Sequence, residues 1–409
     1  MPQSTASAAA KPALRTPEFV ALFSLTTSLI ALSIDAILPA QRAIGEALAV
    51  ADPNATQLIV TLFIFGMVFG ELLFGPISDA VGRKRAILLG LAIYAVGSVV
   101  AMTAGSLEQI LIGRVIQGIG VSGPKIASRA LVRDQYEGAA MARIMSFIMM
   151  VFILVPMLAP ALGQAILYAA DWRAIFFVFL ALAAVVAAWL QIRQPETLPP
   201  SRRIPFSLAA ILSNGALITR HPKVMAYTFA AGLIFGALLL YLSTVQAIFL
   251  DLYGVGERFA LYFAILALAI GLAAFSNSQL VQRYGMHRLA VTALCGLLLA
   301  SATLLAVARL HGGVPPFPAF MAICFAAFFC NGLLFGNINA MAMQSLGRVA
   351  GLGASMIASI SSLVAVVLSV TIGRFYDQTV VPLACGFLIA AAGSLVLVLA
   401  AQRSRAGDV

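Results

Sequence analysis

Four charged side chains lie inside apolar stretches that are long enough to cross a lipid bilayer: Asp35, Glu71, Arg114 and Lys125. A charge at the centre of a bilayer costs roughly 2.5–3.5 kcal/mol on insertion scales, so such residues usually have a function. All four are in the first half of the chain, and the comparable stretches of the second half have none in their interiors. Two acids and two bases could neutralise one another, exchange protons or bind polar ligands.

Their positions along the stretches divide the four charges into two levels. Asp35 and Arg114 are about four and about six residues from the outer ends of their stretches, which at 1.5 Å per residue places them within about one helical turn in depth. Glu71 and Lys125 are about six and about three residues from the inner ends of theirs. We therefore expect an outer Asp35/Arg114 pair and an inner Glu71/Lys125 pair. Static ion bridges that fix helix register are the structural alternative.

The composition indicates that helices position these charges. The chain is 62% hydrophobic and only 10% charged, and apolar runs of about 18 or more residues are typical of membrane helices. The period-2 alternation of outer-membrane strands is missing. We predict an all-α membrane protein with twelve spans, near residues 17–39, 55–77, 86–105, 108–128, 141–166, 173–192, 224–249, 258–277, 289–308, 318–341, 350–373 and 380–401.

The chain divides into two halves of six spans each. Residues 194–221 are rich in Pro and Arg and interrupt the apolar pattern. A faint repeat relates the segment 75–85 after span two to the segment 278–288 after span eight, since in both a small residue precedes a Gly by seven and basic residues follow. Two repeated halves around a central cavity indicate a transporter with its site between them. The predicted organisation is a tail (1–16), a first half (17–193), a linker (194–221), a second half (222–402) and a second tail (403–409).

The net charge of +10 is unevenly distributed. With the N-terminus inside, eighteen of the 25 Lys and Arg residues fall on one side, five on the other, and two within spans. This asymmetry follows the positive-inside rule and predicts cytoplasmic termini. The same distribution argues against nucleic-acid binding, because no basic stripe carries interleaved aromatics. We predict no cofactor, metal site or enzymatic activity, because metal-ligand spacing, a nucleotide loop and a nucleophile motif are all missing from the sequence.

The spans of the second half offer polar and aromatic side chains instead of charges. Such residues suit the wall of a ligand cavity, although polar residues also hold membrane helices together. The candidates for substrate binding in this half are Tyr227, Phe235, Tyr241, Gln246, Asn331, Phe335 and Asn337.

The segment after span two, Gly75-Pro-Ile-Ser-Asp-Ala-Val-Gly-Arg-Lys-Arg85, is the most specific local signal. It resembles the Gly-x-Leu-x-Asp-Arg-x-Gly-Arg-Arg/Lys loop of the major facilitator superfamily, which implies a gating role for the loop. We expect Asp79 to accept from a neighbouring helix N-terminus or to pair with Arg129 or Arg133. A basic turn that only sets topology is the alternative. The predicted gating residues of this end are Gly75, Asp79, Gly82, Arg83, Lys84 and Arg133.

Two further motifs resemble those of drug/proton antiporters in the same superfamily. Span four contains Arg114-Val-Ile-Gln117-Gly, which is similar to an Arg-x-x-Gln-Gly motif whose Arg is linked to proton transfer. Span five contains Pro156-Met-Leu-Ala-Pro160-Ala-Leu-Gly163, similar to the Pro-x-x-Ala-Pro-x-x-Gly form of the antiporter signature. Proline permits bending of a membrane helix, so these three span-five residues are candidates for gating. A kink with no bearing on transport is the alternative.

The segment 31–40 of span one, together with residues 171–176 and 195–198, resembles the Bcr/CflA drug-resistance branch. This resemblance implies a proton-coupled antiporter that exports small amphiphilic compounds from a bacterium across its inner membrane by alternating access, working as a monomer. Burial favours a neutral carboxyl group and a nearby Arg favours a charged one, so Asp35 could exchange protons and bind substrate.

In this interpretation Arg114 and Glu71 share the proton coupling, and Gln117 and Lys125 contact the substrate. The same fold could instead serve as a symporter or uniporter of a nutrient or organic anion, with Arg114 or Lys125 binding its negative group. A receptor or enzyme that does not transport is the remaining alternative.

Overall fold

A computed structural model of the chain describes residues 14–344 and 350–403. Within these ranges the chain forms twelve helices of at least 20 residues, which we number α1 to α12 in chain order. Their bounds are Thr16–Asp35, Leu58–Val81, Arg83–Met102, Leu107–Gln135, Gly138–Ala169, Arg173–Arg193, Pro222–Gln246, Phe259–Tyr284, Met286–Leu310, Phe317–Gln344, Ala350–Gly373 and Val381–Arg403. The predicted all-helical architecture is confirmed.

Eleven of these helices are long and apolar enough to cross a membrane by composition alone. The twelfth, α4, carries charges along its length but packs tightly between α2 and α3. Glycine makes this approach possible: a Cβ atom on Gly118 would lie 2.0 Å from the carbonyl oxygen of Phe63 on α2. A Cβ atom on Gly120 would lie 2.3 Å from the backbone nitrogen of Tyr94 on α3. The fully buried Arg114 of α4 is thus placed inside the first half.

The helix contacts of the first six helices recur among the last six. Helix α1 packs on α5 and α6, α2 packs on α4, and α3 packs on α4 and α6. The corresponding contacts of the second half are α7 with α11 and α12, α8 with α10, and α9 with α10 and α12. The chain therefore folds as two six-helix halves with pseudo-twofold symmetry, as predicted.

The two halves meet along two symmetry-related pairs of helices, α2 with α11 and α5 with α8. We call the end of the bundle where α1 begins and α12 ends the terminal end, and the other end the loop end. At the loop end, Arg42 Nη1 is 3.3 Å from Asp251 Oδ1, and Asn54 Nδ2 donates to the Tyr376 carbonyl oxygen at 3.0 Å. The halves are thus joined across the loop end.

Two helix boundaries differ from prediction in a way that affects the site. Helix α1 ends at Asp35, and the chain continues through a short 3₁₀ turn (Leu38–Ala40) and a helix (Gln41–Ala47). Helix α4 continues to Gln135, seven residues beyond the predicted end, so Arg129 and Arg133 belong to the helix rather than to a loop. Asp35 is therefore the last residue of its helix, and Lys125 lies ten residues before the end of α4.

Candidate functional site

The Asp35 carboxyl group lies inside the bundle without a partner. The residue is 4% exposed, and within the described residues its side chain forms no hydrogen bond or ion pair. The Tyr241 hydroxyl group of α7 is also buried without a hydrogen-bond partner. Helix α7 contacts the 3₁₀ turn Leu38–Ala40, which follows Asp35 closely in the chain. Each half thus contributes an unpartnered buried polar group.

Arg114 does not pair with Asp35, so the expected outer ion pair is wrong. The fully buried guanidinium group donates from Nε to the Ile59 carbonyl oxygen at 2.8 Å and from Nη2 to the Ser33 carbonyl oxygen at 2.7 Å. It also lies 4.4 Å from the centre of the Phe63 ring, a cation–π distance. Backbone carbonyls of α1 and α2 therefore satisfy Arg114, which fastens these helices to α4 beside Asp35.

A chain of buried polar groups extends this arrangement. Arg114 Nη1 donates to Gln117 Oε1 at 2.9 Å, and Gln117 Nε2 donates to Ser98 Oγ at 2.7 Å. The hydroxyl groups of Tyr94 and Ser33 are 2.6 Å apart, which ties α3 to α1. Both polar atoms of the Gln117 amide group are thus occupied within the first half, which favours a positioning role over substrate contact.

The inner pair forms as the depth arithmetic predicts. Lys125 Nζ pairs with Glu71 Oε1, and the Glu71 side chain is fully buried whereas that of Lys125 is 23% exposed. Glu71 Oε2 accepts a hydrogen bond from Ser362 Oγ of α11 at 3.0 Å. One carboxyl group therefore joins an ion pair of the first half to a helix of the second half, a contact that the sequence did not suggest.

The polar residues of the second half fall into two groups. Asn331 Nδ2 donates to the Ile234 carbonyl oxygen at 3.2 Å, and Asn337 Nδ2 donates to Asn277 Oδ1 at 2.6 Å. These contacts match the alternative in which the amides hold helices together. Tyr241 and Gln246 instead keep an unpartnered buried atom each, Oη and Nε2.

The aromatic candidates also differ among themselves. Tyr241 packs between Phe263 and Phe328, with ring centres 6.1 and 4.6 Å away. Tyr227 is 4% exposed, and Phe235 contacts Phe335 edge to face at 6.1 Å. Phe335 is 48% exposed, whereas Tyr241 is 2% exposed.

The segment Gly75–Arg85 forms an ionic cluster at the terminal end. Asp79 pairs with Arg83 of the same segment, so its expected pairing with Arg129 or Arg133 is wrong. Arg83 Nε also donates to Asp134 Oδ2 of α4 at 3.0 Å. The Arg83 backbone N–H group donates to Glu196 Oε1 of the linker at 2.8 Å. Arg83 rather than Asp79 is the centre of this cluster.

The remaining residues of this segment hold its turn in place. Gly82 connects α2 to α3 at a φ of +108°, a conformation that side chains disfavour. Gly75 faces Ser355 of α11, and Lys84 Nζ donates to the Gln191 carbonyl oxygen at 2.8 Å. Arg133 is exposed.

Helices α1 and α5 touch beside Asp35 and separate toward the terminal end. A Cβ atom on Gly163 would lie 2.0 Å from the Ala36 carbonyl oxygen, so only glycine permits this contact. Pro160 and Pro156 lie within the same helix, about one and about two turns before Gly163, respectively. Nearer the terminal end the two helices border a groove of about 1140 Å³.

The groove runs along α1, and its lining on that helix ends at Ser28. Ser24 and Ser28 line it, and at 3.6 residues per turn they share one face of α1 with Asp35, which lies about 10 Å beyond Ser28. Ser24 is 3% exposed, and its Oγ atom has no hydrogen-bond partner. Phe147, Val151 and Arg143 of α5 form the opposite wall. Sequence reasoning missed these serines, although their spacing from Asp35 was a usable signal.

Replacing Gly163 by Ala should impair transport. The new methyl group would force α1 and α5 apart beside Asp35, and overpacking of this kind costs about 1–3 kcal/mol. We expect a lower thermal unfolding midpoint in detergent and slower transport in vesicles. Gly336→Ala is the matched control, because a Cβ atom there meets nothing within 4 Å. Equal behaviour of the two variants would contradict the contact.

This fold and site define a class: a membrane transporter of small molecules, rather than an enzyme, with polar groups enclosed between two six-helix halves. The chain belongs to the Major Facilitator Superfamily, whose family model matches residues 21–369. A bicyclomycin resistance protein homolog of Haemophilus influenzae is 30% identical over 89% of this chain and 91% of its own length. A chloramphenicol resistance protein of Pseudomonas aeruginosa is 28% identical over 80% and 84%, respectively.

These relatives confirm the resemblance to Bcr/CflA-like drug transporters. Among solved structures, the xylose transporter XylE of E. coli superimposes with a TM-score of 0.73, covering 95% of this chain and 98% of XylE at 13% identity. At that identity the likeness concerns the fold alone.

Proposed function

We propose that this protein is a proton-coupled antiporter that exports small amphiphilic compounds. The observation that carries the proposal is the Asp35 carboxyl group, buried and without a partner among the described residues. An ionised carboxylate buried in this way is costly. A proton or a polar group of the substrate on Asp35 would therefore stabilise this arrangement, and the two would compete for one group. Such competition is what exchange of substrate for proton requires.

The groove between α1 and α5 gives the substrate a path to Asp35. Its wall is largely apolar, with hydroxyl groups of Ser24 and Ser28 along one side. These features suit a compound with an apolar body and a few hydrogen-bonding groups. At the inner end of the path, Tyr241 and Gln246 offer unpartnered polar atoms from the second half. A bound compound would thus contact both halves.

The other predicted residues have positioning, proton-coupling and gating roles in this exchange. Arg114, with its donors engaged, acts as a positioning residue for the α1 segment that ends in Asp35. Glu71 is the second proton-coupling candidate, and Lys125, its partner, has the partial exposure that a substrate contact needs. Alternating access would open and close the terminal end, where the Arg83 cluster ties α3 to α4 and to the linker.

We place the protein in a bacterial inner membrane as a monomer, with both termini in the cytoplasm. The relatives reported above are bacterial, and most basic residues lie at the terminal end. With this orientation the groove opens toward the cytoplasm and the loop end is closed. That is the arrangement in which an exporter collects its substrate.

The direct test is transport by the purified protein in proteoliposomes. The compound to be tested is first selected by a susceptibility panel in an efflux-deficient host. The panel begins with bicyclomycin and chloramphenicol, the drugs that appear in the names of the two relatives. An inside-acidic gradient of about one pH unit should then sustain up to about tenfold accumulation in a one-for-one electroneutral exchange. Accumulation with the gradient reversed would indicate symport. Counterflow that ignores pH would indicate a uniporter.

A further inference from the structure

Helix α11 meets α2 through serines on one of its faces. Ser359 Oγ donates to the Val68 carbonyl oxygen at 2.8 Å, and Ser362 Oγ donates to Glu71 Oε2 at 3.0 Å. Both serines are buried, at 6% and 3% exposure. Their hydrogen bonds cross from one half of the protein to the other. We call this contact the serine seam, and it comprises Val68, Glu71 and Gly75 of α2 with Ser355, Ser359 and Ser362 of α11.

The two hydrogen bonds of the seam differ in their acceptors. Ser359 donates to a backbone carbonyl group, whose charge does not change. Ser362 donates to a carboxyl group whose other oxygen pairs with Lys125. A hydrogen bond to an ionised acceptor is roughly twice as strong as one between neutral groups. Only the Ser362 contact can therefore respond to a change of charge.

We propose that Glu71 is a charge-controlled latch between the two halves. While it is ionised and held by Lys125, Glu71 retains Ser362 and favours the arrangement described above. When it binds a proton, both attachments weaken and a second arrangement of the halves gains population. This inference deepens the proposed function, but it rests on that function only in requiring two arrangements of the halves.

Among the described residues, the charged groups that interact with Glu71 belong to helix α4. Helix α4 supplies Lys125 and also Arg129, which interacts with Glu71 electrostatically. Helix α11 has no ionisable side chain between residues 350 and 373, and the only charge of α7 is Lys223 in its first turn. The basic residues of α3 stand at its terminal end, in segment 83–85. Protonation of Glu71 is therefore felt first by Lys125 and Ser362.

The test measures the separation of the halves in reconstituted protein at a series of pH values. Nitroxide labels at Arg85→Cys and Arg288→Cys occupy equivalent exposed positions of the two halves, and Cys295→Ser removes the exposed native thiol. Electron–electron double resonance should show a second distance population that grows as the pH falls. In Ser362→Ala the ionised carboxylate loses a donor and accepts its proton more readily. The midpoint of this change should therefore move to higher pH, by about one unit.

Neighbouring serines provide matched controls. Ser361 Oγ donates to the Thr228 carbonyl oxygen within the second half at 3.0 Å, so Ser361→Ala should leave the midpoint unchanged. Ser359→Ala should raise the second population even at high pH, where Glu71 is ionised, because its lost hydrogen bond has a neutral acceptor. If Ser362→Ala does not fold, the pair Ser362→Thr and Ser362→Val replaces it, because threonine and valine have nearly the same shape and only threonine keeps the hydroxyl group. Only Ser362→Val should then move the midpoint.

Two results would overturn the latch: an unmoved midpoint in Ser362→Ala or Ser362→Val, or an equal shift in Ser361→Ala. These results are distinct from failure of the proposed function. If the protein performs antiport but the midpoint of Ser362→Ala does not move, only the latch proposal is rejected, because transport then proceeds without the latch. A shifted midpoint in a protein that never moves substrate against its gradient removes the antiport assignment alone.

Discussion

Asp35→Asn protein should equilibrate its substrate but fail to accumulate it. Asparagine has nearly the same shape as aspartate, yet it neither binds nor releases a proton in the accessible pH range. With an imposed gradient of about one pH unit, we expect accumulation to fall from up to about tenfold in the wild type to about onefold in the variant. The measurement is uptake into proteoliposomes with and without the gradient. Counterflow in the absence of a gradient should persist, because the cavity itself is unchanged.

Asp171→Asn is the matched control for this experiment. Asp171 has a side chain that is 58% exposed, and it pairs with Arg173 of the same half. Exposed pairs of this kind contribute about 0–1 kcal/mol, so the control should keep its accumulation. Uphill transport by Asp35→Asn at the wild-type rate would remove Asp35 from the coupling mechanism. Glu71 would then be the other buried acid to test among the residues that the structure describes.

The sequence predicts the class, the helices and one of the two ion pairs because those features depend on composition and on rise per residue. Apolar length identifies eleven spans, and the charged α4 was recognised because its apolar stretches flank Arg114 and Lys125. The sequence placed the inner ends of α2 and α4 four and seven residues too early. Both errors have the same direction, so Glu71 and Lys125 each lie ten residues before the end of their helix and still share one level.

The predicted outer ion pair between Asp35 and Arg114 does not form, because Arg114 binds backbone atoms instead. Arg114 is satisfied by the carbonyl oxygens of Ser33 and Ile59, and every residue has such an acceptor, so sequence cannot mark those two. Asp35 is the last residue of α1, so its depth is close to the value counted from the sequence. Depth along a helix does not fix the direction in which a side chain points around it, so two residues at one level need not be neighbours. An arginine near an acid in depth is thus not evidence of a pair.

The serine contacts between the halves could also not be predicted from the sequence. Serines within a membrane helix usually donate to the carbonyl group one turn earlier, as Ser28 does to Ser24. Ser362 instead reaches Glu71 of the other half. Which of these a serine does depends on how closely the neighbouring helix approaches. That distance is set by the packing of the two halves rather than by local sequence.

Lys125→Met should destabilise the folded protein more than Glu71→Gln does. Removing Lys125 leaves a fully buried carboxylate without its ion pair, and breaking a buried pair in this way costs about 3–5 kcal/mol. Removing the charge of Glu71 leaves a lysine that is 23% exposed and can extend toward water. The lower part of that range is expected for Lys125→Met, because Arg129 also attracts Glu71. Thermal unfolding midpoints in one detergent measure the difference.

The double variant Glu71→Gln/Lys125→Met separates loss of the pair from loss of packing. It has no buried charge at this site, and its glutamine keeps an oxygen that can accept from Ser362. We expect its unfolding midpoint to recover most of the loss caused by Lys125→Met, as in a double-mutant cycle between coupled residues. A double variant as unstable as Lys125→Met would mean that the lysine stabilises the fold through its packing. In that case the charge of Glu71 would not be what holds α2, α4 and α11 together.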